Sequence, residues 1–272
     1  MSLPRMDARL FRYPSWACSY GEDRFGIFAS FAVGEEIFVM RWIPPGRFVM
    51  GSPEEEAGRW DDEGPMHEVT LTEGFWMGQT PVTQGQWEGI MGENPSHFSG
   101  AKRPVETVSW EDCQRFLERL EEQVPGLRPR LPTEAQWEYA CRAGTEAAFS
   151  DGSECTEPAG KDPALEKLGW YGKNSGGSTQ EVGEKASNAW GLQDVHGNVW
   201  EWCGDGMRDF GREPVVDPVG PVGDSAPRVL RGGSWARDAG GCRSAFRNAG
   251  GPGSRIQDLG LRLVAGQPGN RR

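Results

Sequence analysis

The chain has 272 residues and a formal net charge of −11. This length suffices for one large domain with a buried core, and the acidic balance argues against nucleic acid as the main partner, because phosphate binding needs a cationic face. The 39 Gly, 20 Pro and 12 Trp residues predict many turns and much irregular structure, with aromatic side chains supplying the apolar burial.

Cysteine spacing and the absence of a long apolar run bear on the cell compartment. No CxxC pair occurs among the six cysteines, so a zinc site is not expected. The first residues, MSLPRMDARLFRYP, do not resemble a signal peptide, and no apolar run approaches the roughly 18 residues of a membrane span. We therefore expect a cytoplasmic protein with reduced thiols and no membrane contact.

The N-terminal third is predicted to be rich in β structure. Residues 1–36 lack a clear period, although FGIFASFAV fits a strand or a short buried segment, and we expect an N-terminal extension packed on a main domain of residues 37–266. Residues 267–272 are a tail. The run IFVMRWIPPGRFVMGS predicts a hairpin turning at Pro44-Pro45-Gly46, and strand alternation continues through HEVTLTEGFWMGQTPVT.

Three amphipathic helices follow. Thr83 is a helix cap, and Gly92 ends the helix that it begins. Ser109 caps WEDCQRFLERLEEQV, whose apolar residues recur at helical spacing. Thr133 and Gln136 form a capping box for EAQWEYACRAG. We expect all three helices to lie on a common core.

The second half is predicted to be dominated by loops. Residues 150–185 are polar and glycine-rich, and loops of this length inside a domain tend to be functional or to bind ions. The acidic runs at 54–56 and 61–63 could form an acid/base pair or a cation site, but are interpreted as a solvated loop. Two strands, RVLRGGSW and LGLRLV, flank the last loop segment, which makes the predicted fold class α+β with a high loop fraction.

Several long motifs resemble one known family. GRFVMGS, TPVTQGQW, NPSHF, PVETVSWEDC, RLPTEAQWEYACRAGT, NAWGLQDVHGNVWEWC, RVLRGGSW and GLRL are similar, in the same order, to motifs of the formylglycine-generating enzyme (sulfatase-modifying factor) family. They run from about Ile37 to Val264. The resemblance implies a compact, irregular, loop-rich domain with a C-type-lectin-like fold.

The family includes oxidases whose copper site can be compared with this sequence. They hold copper(I) with two cysteines, placed three and eight positions after the serine of RGGS. Counted from Ser234, the eighth position is Cys242 but the third is Arg237. Copper(I) favours thiolate ligands, and a guanidinium there places a cation where the metal would sit, which argues against copper. Cys242 is either a reactive thiol beside Arg243 or a small buried filler.

A second, more local resemblance concerns the C-terminal segment. The frame CRSAxR, Pro252, Arg255 and GLRLV is similar to the variable regions of proteins diversified by retroelements, in which fixed residues alternate with positions mutated from asparagine codons. Such a surface implies ligand binding by the intervening residues, which are Ala236, Arg237, Asp238, Phe246, Asn248, Ala249, Gly253, Ser254 and Ile256. We predict that residues 236–242 and 246–258 share one exposed face, with hydrogen-bonded Arg231, Arg243 and Arg247 beneath it.

A calcium site is implied by the same family. Asp194 and Glu201 would supply side-chain oxygens, and Gly197 and Val199 would supply backbone carbonyls, in a tight turn that suits a hard cation. The alternative is a metal-free turn in which the two carboxylates pair with an arginine. The three histidines, His67, His97 and His196, are interpreted as structural hydrogen-bonding residues.

Three functions are compatible with these residues. The favoured one is a noncatalytic member of the family that binds a protein or other macromolecular ligand through the 236–258 face. The alternative is a formylglycine-generating or related oxidase acting on a protein thiol through Cys242 and Ser234, with Trp200 lining the site. A third is a regulatory or scaffold domain, suggested only by the N-terminal extension.

Overall fold

The computed structural model describes residues 13–223 and 226–266. The predicted tail and the first twelve residues of the predicted extension therefore lie outside the described residues. The strands are β1 (Ser19–Asp23), β2 (Gly26–Val33), β3 (Glu36–Ile43), β4 (Gly46–Met50), β5 (His67–Leu71), β6 (Phe75–Gly78), β7 (Pro129–Arg130), β8 (Trp200–Gly206), β9 (Val215–Val216), β10 (Arg228–Arg231), β11 (Arg247–Gly250), β12 (Leu259–Gly260) and β13 (Val264–Ala265). The helices are α1 (Gln84–Met91), α2 (Trp110–Gln123), α3 (Glu134–Arg142) and α4 (Leu165–Leu168).

The largest sheet contains strands from both ends of the described chain. Its order is β1-β2-β3-β6-β13-β7, so the penultimate strand in space comes from the end of the domain. Strand β2 pairs with β3 from Phe28 opposite Arg41 to Val33 opposite Glu36. The predicted boundary between extension and domain falls inside this hairpin, and the sheet continues across it.

The predicted hairpin at Pro44-Pro45-Gly46 is wrong. Strand β3 lies in the six-stranded sheet, whereas β4 pairs with β5 in a separate three-stranded sheet of order β4-β5-β9. A proline has no N–H to donate to a strand ladder, so two of them in succession let the chain leave one sheet and enter another.

The three predicted helices are confirmed, because their caps are local features. Thr83, Ser109 and Thr133 each accept a hydrogen bond from a backbone N–H in the first turn. Helix α1 ends at Gly92, whose φ of 81° lies in the left-handed region that glycine adopts without strain.

A four-stranded sheet carries the C-terminal segment. Its order is β11-β10-β8-β12, with β10 antiparallel to both neighbours and β12 parallel to β8. Strand β8 is almost wholly buried, and the indole rings of Trp76, Trp137, Trp200 and Trp202 are among the largest fully buried side chains. Together with the long loops, this arrangement confirms the α+β, loop-rich fold class.

The predicted loop region 150–185 encloses a small core of its own. Helix α4 and Tyr171 pack there with Phe149, Cys155 and Cys242, so this core reaches the C-terminal segment. All six cysteines are free thiols. In the described parts of the chain, no helix combines the length and apolar character needed to cross a membrane.

Candidate ligand-binding face and the residues beneath it

Two glycines shape the turn that follows β10. Gly232 and Gly233 have φ values of 92° and 73°, in the left-handed region that disfavours other residues. A Cβ on Gly233 would lie 2.5 Å from the carbonyl oxygen of Gly241 and 2.6 Å from Sγ of Cys242. The turn therefore packs its backbone directly against the Cys242 side chain.

Cys242 is a buried thiol. Its side chain is fully buried, its Sγ lies 4.0 Å from the carbonyl oxygen of Ser234, and burial raises the pKa of the thiol to about 12. The thiolate is the nucleophile and the metal ligand, so this environment disfavours both roles. The raised pKa argues against the interpretation of Cys242 as a reactive thiol beside Arg243, because burial outweighs the opposing effect of the nearby Arg237 cation.

The other two residues of the oxidase alternative are also buried. The Ser234 hydroxyl donates to Oδ2 of Asp258 at 2.7 Å. Trp200 is fully buried, and the guanidinium of Arg237 lies 5.4 Å from its ring centroid. Arg237 itself is exposed, and among the described residues its guanidinium forms no ion pair. The structure therefore brings Ser234, Trp200, Arg237 and Cys242 into one region, with only the arginine open to solvent.

Most residues of the predicted binding set are accessible, but the prediction that all of 236–242 is exposed is wrong. Ala239, Gly240 and Cys242 are buried, because Ala239 and Cys242 pack in the small core with Tyr171. Asn248 and Ala249 on β11 are half-buried, and the exposed members are Ala236, Arg237, Asp238, Gly253, Ser254 and Ile256. The indole of Trp235 donates to the carbonyl of Gln257 at 3.2 Å, and the Ser234–Asp258 hydrogen bond runs beside it. These two contacts hold the 236–238 turn next to the 253–258 loop. They support a shared surface of these two segments. We call their exposed residues, together with Asn248 and Ala249 of β11, which runs into that loop, the variable-like face: Ala236, Arg237, Asp238, Asn248, Ala249, Gly253, Ser254 and Ile256.

Phe246 does not belong to this surface, and the prediction of an exposed Phe246 is wrong. Its ring is 8% exposed and lies 5.9 Å from the Trp200 ring and 5.4 Å from the Trp60 ring, centroid to centroid. A large aromatic side chain beside another buried aromatic gains more from the core than from water. Ile256, by contrast, is 45% exposed.

The prediction of hydrogen-bonded arginines beneath the face is confirmed. Arg231 donates to the carbonyl of Phe246 at 2.6 Å and to a carboxylate oxygen of Glu138. Arg247 forms a bidentate pair with Glu134, at 2.6 and 2.7 Å. Both arginines are buried, so the charge on each is balanced by a buried carboxylate of α3.

Arg243 ties the acidic loop to the face. It donates to both carboxylate oxygens of Glu63, at 2.8 and 2.6 Å, to the carbonyl of Gly58 at 2.6 Å, and to Glu56. Burial opposes the charge on this guanidinium, but Glu63 and Glu56 raise its pKa above the usual value. We call Arg231, Arg243 and Arg247 with these carboxylates the arginine foundation.

The interpretation of the acidic runs as a solvated loop is wrong for two residues. Glu56 and Glu63 are buried, whereas Glu54, Glu55, Asp61 and Asp62 are exposed. The runs contain no sequence period that separates the two groups. The signal available was indirect: an arginine-rich C-terminal segment predicted to be buried requires carboxylates, and this loop is the densest source of them.

The turn expected to bind calcium is held by an arginine. Arg262 donates to both oxygens of Glu201, at 2.7 and 3.0 Å, and the Trp137 indole donates to Oε2 of Glu201 at 2.6 Å. Asp194 accepts from the backbone N–H of Gly183 at 2.6 Å, and burial raises its pKa to about 6. A carboxylate with its oxygens bound by a guanidinium is a poor calcium ligand, so these residues do not fit the ion as they stand.

Gly197 and Val199 are buried in this turn. Gly197 donates its N–H to the carbonyl of Gly232 at 2.7 Å, which links the turn to the glycine pair after β10. Among the described residues, no group of three or more His, Cys, Asp and Glu side chains is arranged to hold a metal ion. The pairing of Glu201 with Arg262 matches the metal-free alternative for this carboxylate.

Small sheets, long loops and a buried foundation under an exposed C-terminal face define a domain of C-type-lectin-like fold. Residues 30–267 match the sulfatase-modifying factor enzyme 1-like domain, and the chain belongs to that family.

Three relatives illustrate the range of the family. The structure of Treponema denticola variable protein 1 superposes with a TM-score of 0.76 at 33% identity, covering 88% of this chain and 99% of that one. PvdO from Pseudomonas aeruginosa gives a TM-score of 0.73 at 27% identity, covering 88% and 98%. The formylglycine-generating enzyme of Streptomyces coelicolor is 29% identical over 287 residues, covering 82% of this chain and 87% of that protein.

Proposed function

We propose that the protein is a noncatalytic, ligand-binding member of its family that recognises a protein or other macromolecule through the variable-like face. One observation carries the proposal: the position that would supply a second thiolate is the exposed Arg237, while Cys242 is a buried thiol with a raised pKa. A redox site needs accessible, deprotonated sulfur, whereas an exposed guanidinium is suited to recognition of a partner.

The division between face and foundation supports binding. Arg231, Arg243 and Arg247 are buried and paired, so they stabilise the loops from below without occupying the surface. The residues of the variable-like face are exposed or half-buried, which leaves them available to a partner. The similarity to a protein described as a variable protein is in line with this division.

The oxidase alternative is tested directly with copper and substrate. We expect purified protein to bind no stoichiometric copper(I) and to leave the cysteine of a CxPxR peptide unchanged, with a formylglycine-generating enzyme as the positive control. The Arg237→Cys variant is the matched comparison, because it restores the second thiol. Stoichiometric copper(I) on the unaltered chain together with an aldehyde in the peptide would contradict the proposal.

Binding is tested by affinity capture with surface variants. Arg237→Glu and Ile256→Asp should each abolish capture of a partner that the unaltered protein retains. Arg47→Gln is the control, since the Arg47 side chain is 71% exposed on β4 and is not part of the face. Equal capture by all four proteins would place the binding surface elsewhere.

We further propose that the face is diversified by a retroelement. The intervening positions, unlike Gln257, all hold residues reachable from an asparagine codon by changes at adenines. The test is a search of the source genome for a near-copy of the segment encoding residues 231–264 beside a reverse transcriptase gene. Differences confined to adenines would support diversification, and the lack of any near-copy would reduce the proposal to an unvaried binding surface.

A further inference from the structure

A pocket lies at the junction of α1, α2 and the 253–258 loop. It has a volume of about 360 Å³ and is lined by Trp87, Met91, Glu93, Pro95, Asp112, Arg115, Arg119 and Arg255. Ligand pockets of proteins start at roughly this size. Three arginines against two carboxylates give the lining a net charge of +1, in a chain whose net charge is −11.

The three arginines are not equally neutralised. Asp112 accepts from Arg255 at 2.7 and 3.0 Å and also from Arg115. Arg119 donates only to the carbonyl of Met91, at 3.1 Å, and among the described residues it has no carboxylate partner. Arg115 and Arg119 stand four residues apart on α2 and therefore on one face of the helix. The pocket thus holds a guanidinium with donors left over.

The apolar part of the lining carries a second unsatisfied donor. Trp87 is 2% exposed, and its ring is stacked on Phe116 at 4.8 Å with an interplanar angle of 1°. Its indole N–H has no hydrogen-bond partner among the described residues. The stacked Trp87 and Phe116 rings thus give this side of the pocket a rigid aromatic base.

We propose that this pocket binds an aromatic carboxylate. The carboxylate would pair with Arg119, whose planar guanidinium matches it in geometry. The ring would lie against Trp87, Met91 and Pro95, where burial of apolar area is favourable. The ligand is either a free small molecule or a chain terminus of a partner that ends in an aromatic residue. The site adjoins the variable-like face through Arg255 of the 253–258 loop, but none of its lining residues belongs to that face, and it does not depend on the function proposed above.

The experiment compares an acid with its neutral amide. The intact chain is titrated with 2-naphthoate and with 2-naphthamide, and in parallel with a short peptide ending in Phe, as the free acid and as the C-terminal amide. Binding is followed by ligand-observed NMR and calorimetry. At least one acid should bind about tenfold more tightly than its amide, which corresponds to about 1.4 kcal/mol, because only the acid can form a charge-assisted pair with the guanidinium. The acid that binds identifies the source of the ligand.

Two variants locate the binding. Arg119→Gln should remove most of the preference for the acid, whereas Arg47→Gln, which changes the same charge at an exposed site on β4, should leave it unchanged. Arg237→Glu should also leave it unchanged, which separates this pocket from the variable-like face. Raising the salt concentration should weaken binding of the acid and not of the amide. The proposal is overturned if neither acid binds, if acid and amide bind equally, or if the two glutamine variants behave alike.

Discussion

Protonation of His196 should destabilise the fold in acid, through the same segment that carries Cys242. Nε2 of His196 accepts from the backbone N–H of Ser150 at 3.1 Å, so Nδ1 bears the hydrogen and donates to the carbonyl of Cys242 at 2.8 Å. Burial lowers the pKa of this histidine from 6.5 to about 4. In the neutral form both ring nitrogens are satisfied, and a proton on Nε2 would break the bond from Ser150.

The direction and size of the change in stability follow from the pKa values of His196 in the unfolded and folded chain. Between about pH 6.5 and 4 the unfolded chain binds a proton that the folded chain does not, so the free energy of unfolding falls as pH falls through that window. For this histidine alone, the loss between pH 7.5 and pH 5 is about 2 kcal/mol, and it approaches about 3 kcal/mol below pH 4. Asp194, with its raised pKa, changes the stability in the opposite direction as pH falls. The effect of His196 must therefore be measured as the difference in stability between the unaltered protein and a variant.

The assay is urea denaturation followed by tryptophan fluorescence, for the unaltered protein and for His196→Asn. Asparagine keeps a donor near the position of Nδ1 but does not titrate. The variant should be less stable at pH 7.5, and the gap between the two proteins should narrow by about 2 kcal/mol at pH 5. A gap that stays constant across this range would show that His196 titrates alike in the folded and unfolded chains, and would refute the argument.

Three further predictions concern the foundation and the turns. Arg243→Met should lower the free energy of unfolding by about 3–5 kcal/mol, because it leaves Glu63 and Glu56 buried without a cation. Chemical denaturation measures this change, and a loss below about 1 kcal/mol would contradict the prediction. Gly233→Ala should lower the melting temperature clearly more than Gly176→Ala. Both glycines have positive φ, but only at Gly233 would the added Cβ lie within 4 Å of other atoms. Equal decreases in melting temperature would count against the close packing of this turn. Calcium titration should leave Tm unchanged, because Glu201 is already bound by an arginine. A rise in Tm that saturates with calcium would show that the turn binds the ion after all.

Features that depend on neighbouring residues were predictable from the sequence. The caps at Thr83, Ser109 and Thr133 sit within four residues of the bonds they make, so the three helices begin where the sequence places them. The left-handed glycine that ends α1 is similarly local. The hairpin at Pro44-Pro45 failed because strand partners are chosen by the whole sheet, and alternation of residues does not record which sheet a strand joins.

The site divides along the same line. That the arginines of the C-terminal segment would be hydrogen-bonded followed from their chemistry, but Glu56, Glu63 and Glu134 could not be assigned as their partners without the tertiary structure. The family motif for calcium names Glu201 but not the competing Arg262, which lies 61 residues away. Phe246 was predicted to be exposed because it occupies the variable position of the CRSAxR frame. The preference of an aromatic ring for the core decides its place instead.

The arginine foundation has a consequence for the order of folding. Its ion pairs join residues that are far apart along the chain: Arg243 and Glu56 are 187 residues apart, and Arg247 and Glu134 are 113 apart. Contacts that close such long loops carry a large entropic cost and form after local structure. During synthesis the acidic loop and α3 emerge well before their cationic partners. Their carboxylates therefore have no arginine to pair with until the last fifth of the chain has been made. The surface residues therefore depend on contacts between distant parts of the chain, and we expect a C-terminal fragment made alone to lack the groups that hold it in shape.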